Sequence, residues 1–108
     1  MEEKEVVQGL AALAHGMRLQ GFRLLVVAGR TGLTPGAIVE QIEVPAATLS
    51  FHLKELVNAG LVTQERDRRY LIYRVAFERM NALLGYLTAN CCEGEACAAA
   101  ERTSCSTC

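Results

Sequence analysis

All five cysteines of this 108-residue chain, Cys91, Cys92, Cys97, Cys105 and Cys108, lie in its final segment, beyond every stretch with hydrophobic periodicity. The set comprises an adjacent pair, a third thiol after four residues and a closing Cys-x-x-Cys. Disulfide frameworks usually have even counts spread through a small secreted core, so an odd cluster at one end of the chain favours metal or redox chemistry. A reduced tail without function is the plainer alternative, and the reactivity of exposed free thiols argues against it. Successive residues of an α-helix point about 100° apart, so Cys91 and Cys92 chelate one ion only where a helix ends or unwinds. Glu93-Gly94 permits such a turn, with Gly94 free to take positive φ.

The elements ahead of the cysteines decide what those thiols act on. Val6, Leu10 and Leu13, with Val7 and Ala14 beside them, fall at three- and four-residue steps and predict a first amphipathic helix. His15-Gly16-Met17 interrupts the stripe, and Leu19, Phe22, Leu25 and Val26 resume it until Gly29 and the region of Gly32. Thr34-Pro35 is a strong helix start, because the Thr hydroxyl accepts from unpaired backbone N–H groups and Pro at the first helical position lacks a donor anyway. A short helix over 35–41 follows. Pro45 opens the next in the same way, with Leu49, Leu53, Leu56 and Val57 inward and Ala59-Gly60 at its close. Two short helices joined by about three residues make a helix-turn-helix.

Residues 61–66 and 70–75 are rich in β-branched and aromatic side chains and predict two strands, with Asp67-Arg68 as the turn of a hairpin wing. A last helix from Phe77 to about Ala89 carries Phe77, Met80, Leu84 and Leu87 on one stripe. The predicted fold class is mainly α with a β-hairpin: a winged helix-turn-helix with an extra helix at each end. The stripes of those outer helices are not expected to be fully covered by the core of residues 1–90, and packing on that core alone is the alternative. A self-complementary patch of this kind is buried most simply across a two-fold axis, which makes them N- and C-terminal dimerisation helices. The chain then divides into a DNA-binding and dimerisation domain over 1–90 and a cysteine-rich tail over 91–108.

A hydrophobic content of 51% supports one core. No stretch approaches the roughly 18 unbroken apolar residues of a membrane span, and Met-Glu-Glu-Lys-Glu is acidic where a secretory signal is basic, so the cytoplasm is the expected compartment. The formal net charge is only −1, yet the positive groups cluster locally at Arg66, Arg68, Arg69, Arg74 and Arg79. In a helix-turn-helix the second helix enters the major groove, which places Ala46, Ala47, Thr48, Ser50, Phe51 and Lys54 toward DNA or solvent. Thr48 and Ser50 can hydrogen-bond to bases or phosphates, and the alanines touch only a thymine methyl. His52, Lys54, Arg66, Arg68 and Arg69 are expected at phosphates, which position a protein without specifying sequence, with a satisfied structural side chain as the alternative for His52. For Phe51, packing under the wing is the alternative.

The run Leu49-Ser50-Phe51-His52-Leu53-Lys54-Glu55-Leu56, followed by Ala59-Gly60-Leu61-Val62, resembles the recognition-helix signature of the ArsR-type (ArsR/SmtB) metal-responsive repressors. Leu13-Ala14, Arg18-Leu19, and Arg69-Tyr70 with Tyr73 add to it, so the resemblance covers about residues 5–90. It implies a homodimeric repressor that leaves its operator DNA when an inducer binds. The family's Cys-Val-Cys pair at the recognition helix has no counterpart between Val44 and Leu53, and the last helix offers only Glu78 toward a zinc site. Cys91, Cys92 and Cys97 resemble the branch with an arsenite site just after the last helix. Three thiolates suit As(III) or Sb(III), whose lone pair takes the remaining direction, whereas Zn(II) wants a fourth ligand. Cys105 and Cys108 supply further sulfurs, which keeps a Cd(II)-, Zn(II)- or Hg(II)-responsive or a thiol-redox-responsive repressor of the same fold as the alternative. No organic cofactor is implied. Catalysis is not expected, because the chain has no Gly-rich phosphate loop, paired carboxylates or Ser/His/Asp set, and its Cys-x-x-Cys opens no helix.

Overall fold

The computed structural model describes residues 1–90; Cys91, Cys92, Cys97, Cys105 and Cys108 lie outside the described residues. Each helix starts or stops where a local group satisfies its unpaired backbone. At the start of α1 (Glu3–Leu13), the Glu2 N–H donates to Glu5 Oε1 at 3.0 Å, and Glu3 and Glu5 sit at the positive end of the helix dipole. Helix α2 (Gly16–Ala28) is capped by His15, whose Nδ1 accepts from the Met17 N–H at 3.3 Å. A 3₁₀ turn over Gly29–Thr31 leads to α3 (Pro35–Ile42), where Thr34 Oγ1 accepts from the Ala37 N–H at 3.3 Å as its position predicts.

Helix α3 stops at Glu43, a non-glycine residue in the left-handed region at φ 43°, ψ 58°. Glycine carries no Cβ penalty there, so Glu43→Gly is expected to raise stability by about 0.5–1 kcal/mol in thermal unfolding. Helix α4 (Ala46–Asn58) ends in a two-bond motif at Gly60, φ 80°. The Gly60 N–H donates to the Val57 carbonyl at 2.9 Å and the Leu61 N–H to the Leu56 carbonyl at 3.1 Å. The chain is thereby aimed into the wing.

The wing is the antiparallel pair β1 (Val62–Asp67) and β2 (Tyr70–Val75), in register from Val62 opposite Val75 to Asp67 opposite Tyr70. Its two-residue turn is Arg68-Arg69, one position later than Asp67-Arg68, because Asp67 pairs with Tyr70 and Arg68 takes the left-handed conformation at φ 61°. Leu33, in the connection before α3, also joins the sheet. It exchanges backbone hydrogen bonds with Tyr73 at 3.0 and 2.9 Å, so the wing is anchored to the helix-turn-helix. No sequence pattern announced that bridge, since a single residue has no periodicity.

Helix α5 (Phe77–Thr88) completes the mainly α fold with its β-hairpin. Leu25, Ile38, Leu53, Leu56, Leu61 and Val62 are fully buried at the centre. The outer helices meet this core differently from the predicted stripes. Helix α1 buries Val6, Gly9 and Ala12, and Leu10 turns outward at 41% exposure. The small residues are the cause: a Cβ at Gly9 would sit only 3.7 Å from Leu61 and 3.8 Å from Leu83, so the helix approaches too closely for a large side chain on that face. Helix α5 turns Leu83 inward and packs Phe77 and Met80 against the core, while Leu84 and Leu87 remain half exposed. Among the described residues no helix is long and apolar enough to cross a membrane.

Candidate nucleic-acid interface

Helix α4 buries Leu49, Leu53 and Leu56, which rotates the opposite face outward. Ala46, Ala47, Thr48, Ser50, Phe51 and Lys54 are all exposed there, and the polar atoms of Thr48, Ser50 and Lys54 have no hydrogen-bond partner among the described residues. Arg66, Arg68 and Arg69 are likewise exposed at the wing tip. The other two arginines of the positive cluster are engaged within the fold. Arg74 donates through Nη1 to Glu65 Oε1 and through Nε to the Arg30 carbonyl, each at 2.7 Å. Arg79 pairs with Glu5 Oε2 at 2.9 Å. The Glu2 N–H and then the Arg79 charge hold the Glu5 carboxyl below its usual pKa.

His52 corrects the expectation of an exposed phosphate contact. It lies on the inward side of α4 at 6% exposure, facing the start of α2. Its Nδ1 accepts from Arg18 Nε at 3.1 Å, and its ring centroid is 4.4 Å from that of His15. Burial first, then the nearby His15 and Arg18, lowers its pKa below the ordinary imidazole value, so near neutral pH Nδ1 is free of a proton and can accept. Phe51 does not pack under the wing. It is 55% exposed beside His52, with Arg18 Cζ 5.6 Å from its ring centroid.

Sequence reasoning assigned Arg18 no role at this surface. One signal was available: positions 14, 15, 21 and 22, its neighbours at three- and four-residue spacing, are Ala, His, Gly and Phe, so no carboxylate on its own helix can pair with it. Among the described residues no group of three or more His, Cys, Asp or Glu is placed to hold a metal ion. Cys91, Cys92 and Cys97 are outside that set.

The profile of a helix-turn-helix domain family matches residues 13–65, from the end of α1 to the middle of β1. The chain is 28% identical to the HTH-type transcriptional regulator YgaV of Escherichia coli over 72% of its length and 77% of that protein. Its structure is similar to that of BigR, a transcriptional repressor from Xylella fastidiosa, with a TM-score of 0.61 and 27% identity, covering 82% of this chain and 88% of the other. It is also similar to the homodimeric winged helix-turn-helix DNA-binding domain of Mb0332 from Mycobacterium bovis, described as a possible ArsR-family transcriptional regulator. That match has a TM-score of 0.63 and 30% identity over 85% of each chain. These relatives are transcriptional regulators rather than enzymes. With the fold, the exposed second helix of the helix-turn-helix and this identity over most of both chains, the protein is a DNA-binding transcriptional regulator and belongs to the ArsR family.

Proposed function

We propose that the chain is a homodimeric repressor released from its operator when trivalent arsenic, or antimony, binds Cys91, Cys92 and Cys97. The observation that carries this reading is where α5 stops. The helix ends at Thr88, the Ala89 N–H closes on the Tyr86 carbonyl, and Asn90 takes φ 59°, so regular helix is over before the adjacent cysteines begin. That meets the requirement that two successive thiolates can turn toward one ion. Three soft thiolates without a fourth ligand suit a metalloid with a lone pair.

Two further features support the assembly. Val7 and Leu10 on α1 and Leu84, Tyr86 and Leu87 on α5 are exposed apolar side chains. A second copy would cover them, and the similar Mb0332 domain is described as homodimeric. Ala46, Ala47, Thr48, Ser50 and Lys54 would then face the major groove, with Arg66, Arg68 and Arg69 at flanking phosphates. Inducer binding next to a dimer helix changes the spacing of the two recognition helices, which must match half-sites about 34–36 Å apart.

Titrating arsenite into operator-bound protein tests the reading. The native chain is expected to release DNA, whereas Cys91→Ser and Cys92→Ser variants stay bound at inducer concentrations that release the native protein. Normal release from both variants would overturn the site. Release by Cd(II) or Zn(II) but not arsenite, or by oxidant with reversal by a thiol reductant, would transfer the role to the alternative inducers.

A further inference from the structure

We propose that Arg18, on α2 rather than on the recognition helix, is a DNA-phosphate contact held in position by His52. Three observations meet at this side chain. Its guanidinium lies 5.6 Å from the ring centroid of Phe51, an exposed residue on the outward half of α4, so the positive charge stands beside the face that enters the groove. Its Nε is spent on His52 Nδ1 at 3.1 Å, which leaves the two terminal nitrogens of the fork for a ligand. No carboxylate pairs with it among the described residues, in contrast to Arg74 and Arg79.

The geometry also explains why His52 is buried and uncharged. The titratable and charged groups that influence it are His15 and Arg18 from the start of α2 and Glu55 one turn along α4. With burial, His15 and Arg18 all working against protonation, Nδ1 remains an acceptor for the Arg18 Nε–H and fixes the guanidinium plane. A planar fork with one edge tied is pre-organised for the oxygens of a phosphate, and less side-chain entropy is lost on binding. Phe51 supplies the apolar surface beneath. His52 is thus a positioning residue, and the charge that reaches DNA belongs to Arg18.

The proposal rests on α4 being the recognition helix, and the experiment separates the two. Operator binding is measured as a function of salt for the native protein, Arg18→Gln and Lys54→Gln. Each phosphate contact contributes about 0.9 to the slope of log K against log salt concentration. Arg18→Gln keeps an N–H for His52 but loses the charge; it removes one contact from each copy of the proposed dimer and is expected to flatten the slope by about 1.8 and weaken binding at least about tenfold. A slope equal to the native one would overturn the Arg18 contact. If Lys54→Gln and Ser50→Ala also bind like the native protein, the recognition-helix reading itself fails. Arginine-directed dicarbonyl labelling of the native protein provides a readout independent of variant folding. Operator DNA is expected to shield Arg18, and equal labelling with and without DNA would overturn the contact.

Discussion

On the proposed homodimer, Leu84→Asp is expected to leave the chain folded, convert it to a monomer and weaken operator binding by about 10²–10⁴. Leu84 is 51% exposed, so its replacement opens no cavity, and surface changes of this kind cost within about 0.5 kcal/mol. Across a two-fold axis the same substitution acts twice, setting two desolvated carboxylates against an apolar patch and against each other. The affinity loss follows from valency. Two linked recognition helices gain about 10²–10⁴ over one because the second contact is effectively intramolecular. Sedimentation and operator titration give the answer together. Leu10→Asp on α1 is expected to act in the same way. A variant that remains dimeric would place the interface elsewhere.

Gly32→Ala is expected to cost about 2–5 kcal/mol, a large share of the 5–15 kcal/mol that a typical domain has. Gly32 adopts φ 71°, ψ −176°, a region essentially closed to residues with a Cβ. An added Cβ would lie 2.6 Å from the Tyr73 carbonyl oxygen, 2.7 Å from Ile72 Cγ2 and 2.8 Å from Arg74 Cγ. The first of these is backbone and cannot swing away. Relief would require breaking the Leu33–Tyr73 bridge, which ties the wing to the connection before α3. Urea unfolding measures the cost. Gly36→Ala on exposed α3, where nothing stands within 4 Å of the new atom, serves as the control and is expected to change stability little. Equal stability of the two variants would show that the bridge does not hold the wing.

The start of α3 was legible because capping is local, whereas α4 begins after Pro45 with no side-chain cap. Thr34-Pro35 specifies the beginning of α3 from two residues, and the hydroxyl does bond the Ala37 N–H. The wing was legible because β-branched and aromatic residues are concentrated on either side of a short charged turn, and only that turn moved, by one residue. The outer helices were read less well. Periodicity detects that a helix has an apolar side, but α1 carries two such sides, and the small one, Val6, Gly9 and Ala12, is the one that packs. Residue size at a close helix contact is a property of two surfaces, and one segment cannot display it.

His52 marks the same boundary at the candidate site. Its spacing of three from Leu49 and four from Leu56 sets it on the inward stripe of α4, but nothing local names the partner that a buried imidazole needs. Arg18, thirty-four positions away, engages it through Nε and makes it the support of the phosphate contact proposed above. The thiols Cys91, Cys92, Cys97, Cys105 and Cys108 are the opposite case: their soft-donor chemistry follows from residue type and spacing alone, and the fold adds only that α5 has ended before them. Sequence by itself determined the order of elements, their caps and the donor chemistry, because each depends on neighbours within a few residues. Tertiary structure decided which side of α1 packs, what His52 bonds to and which arginines are free, because those depend on contacts between residues far apart in the chain.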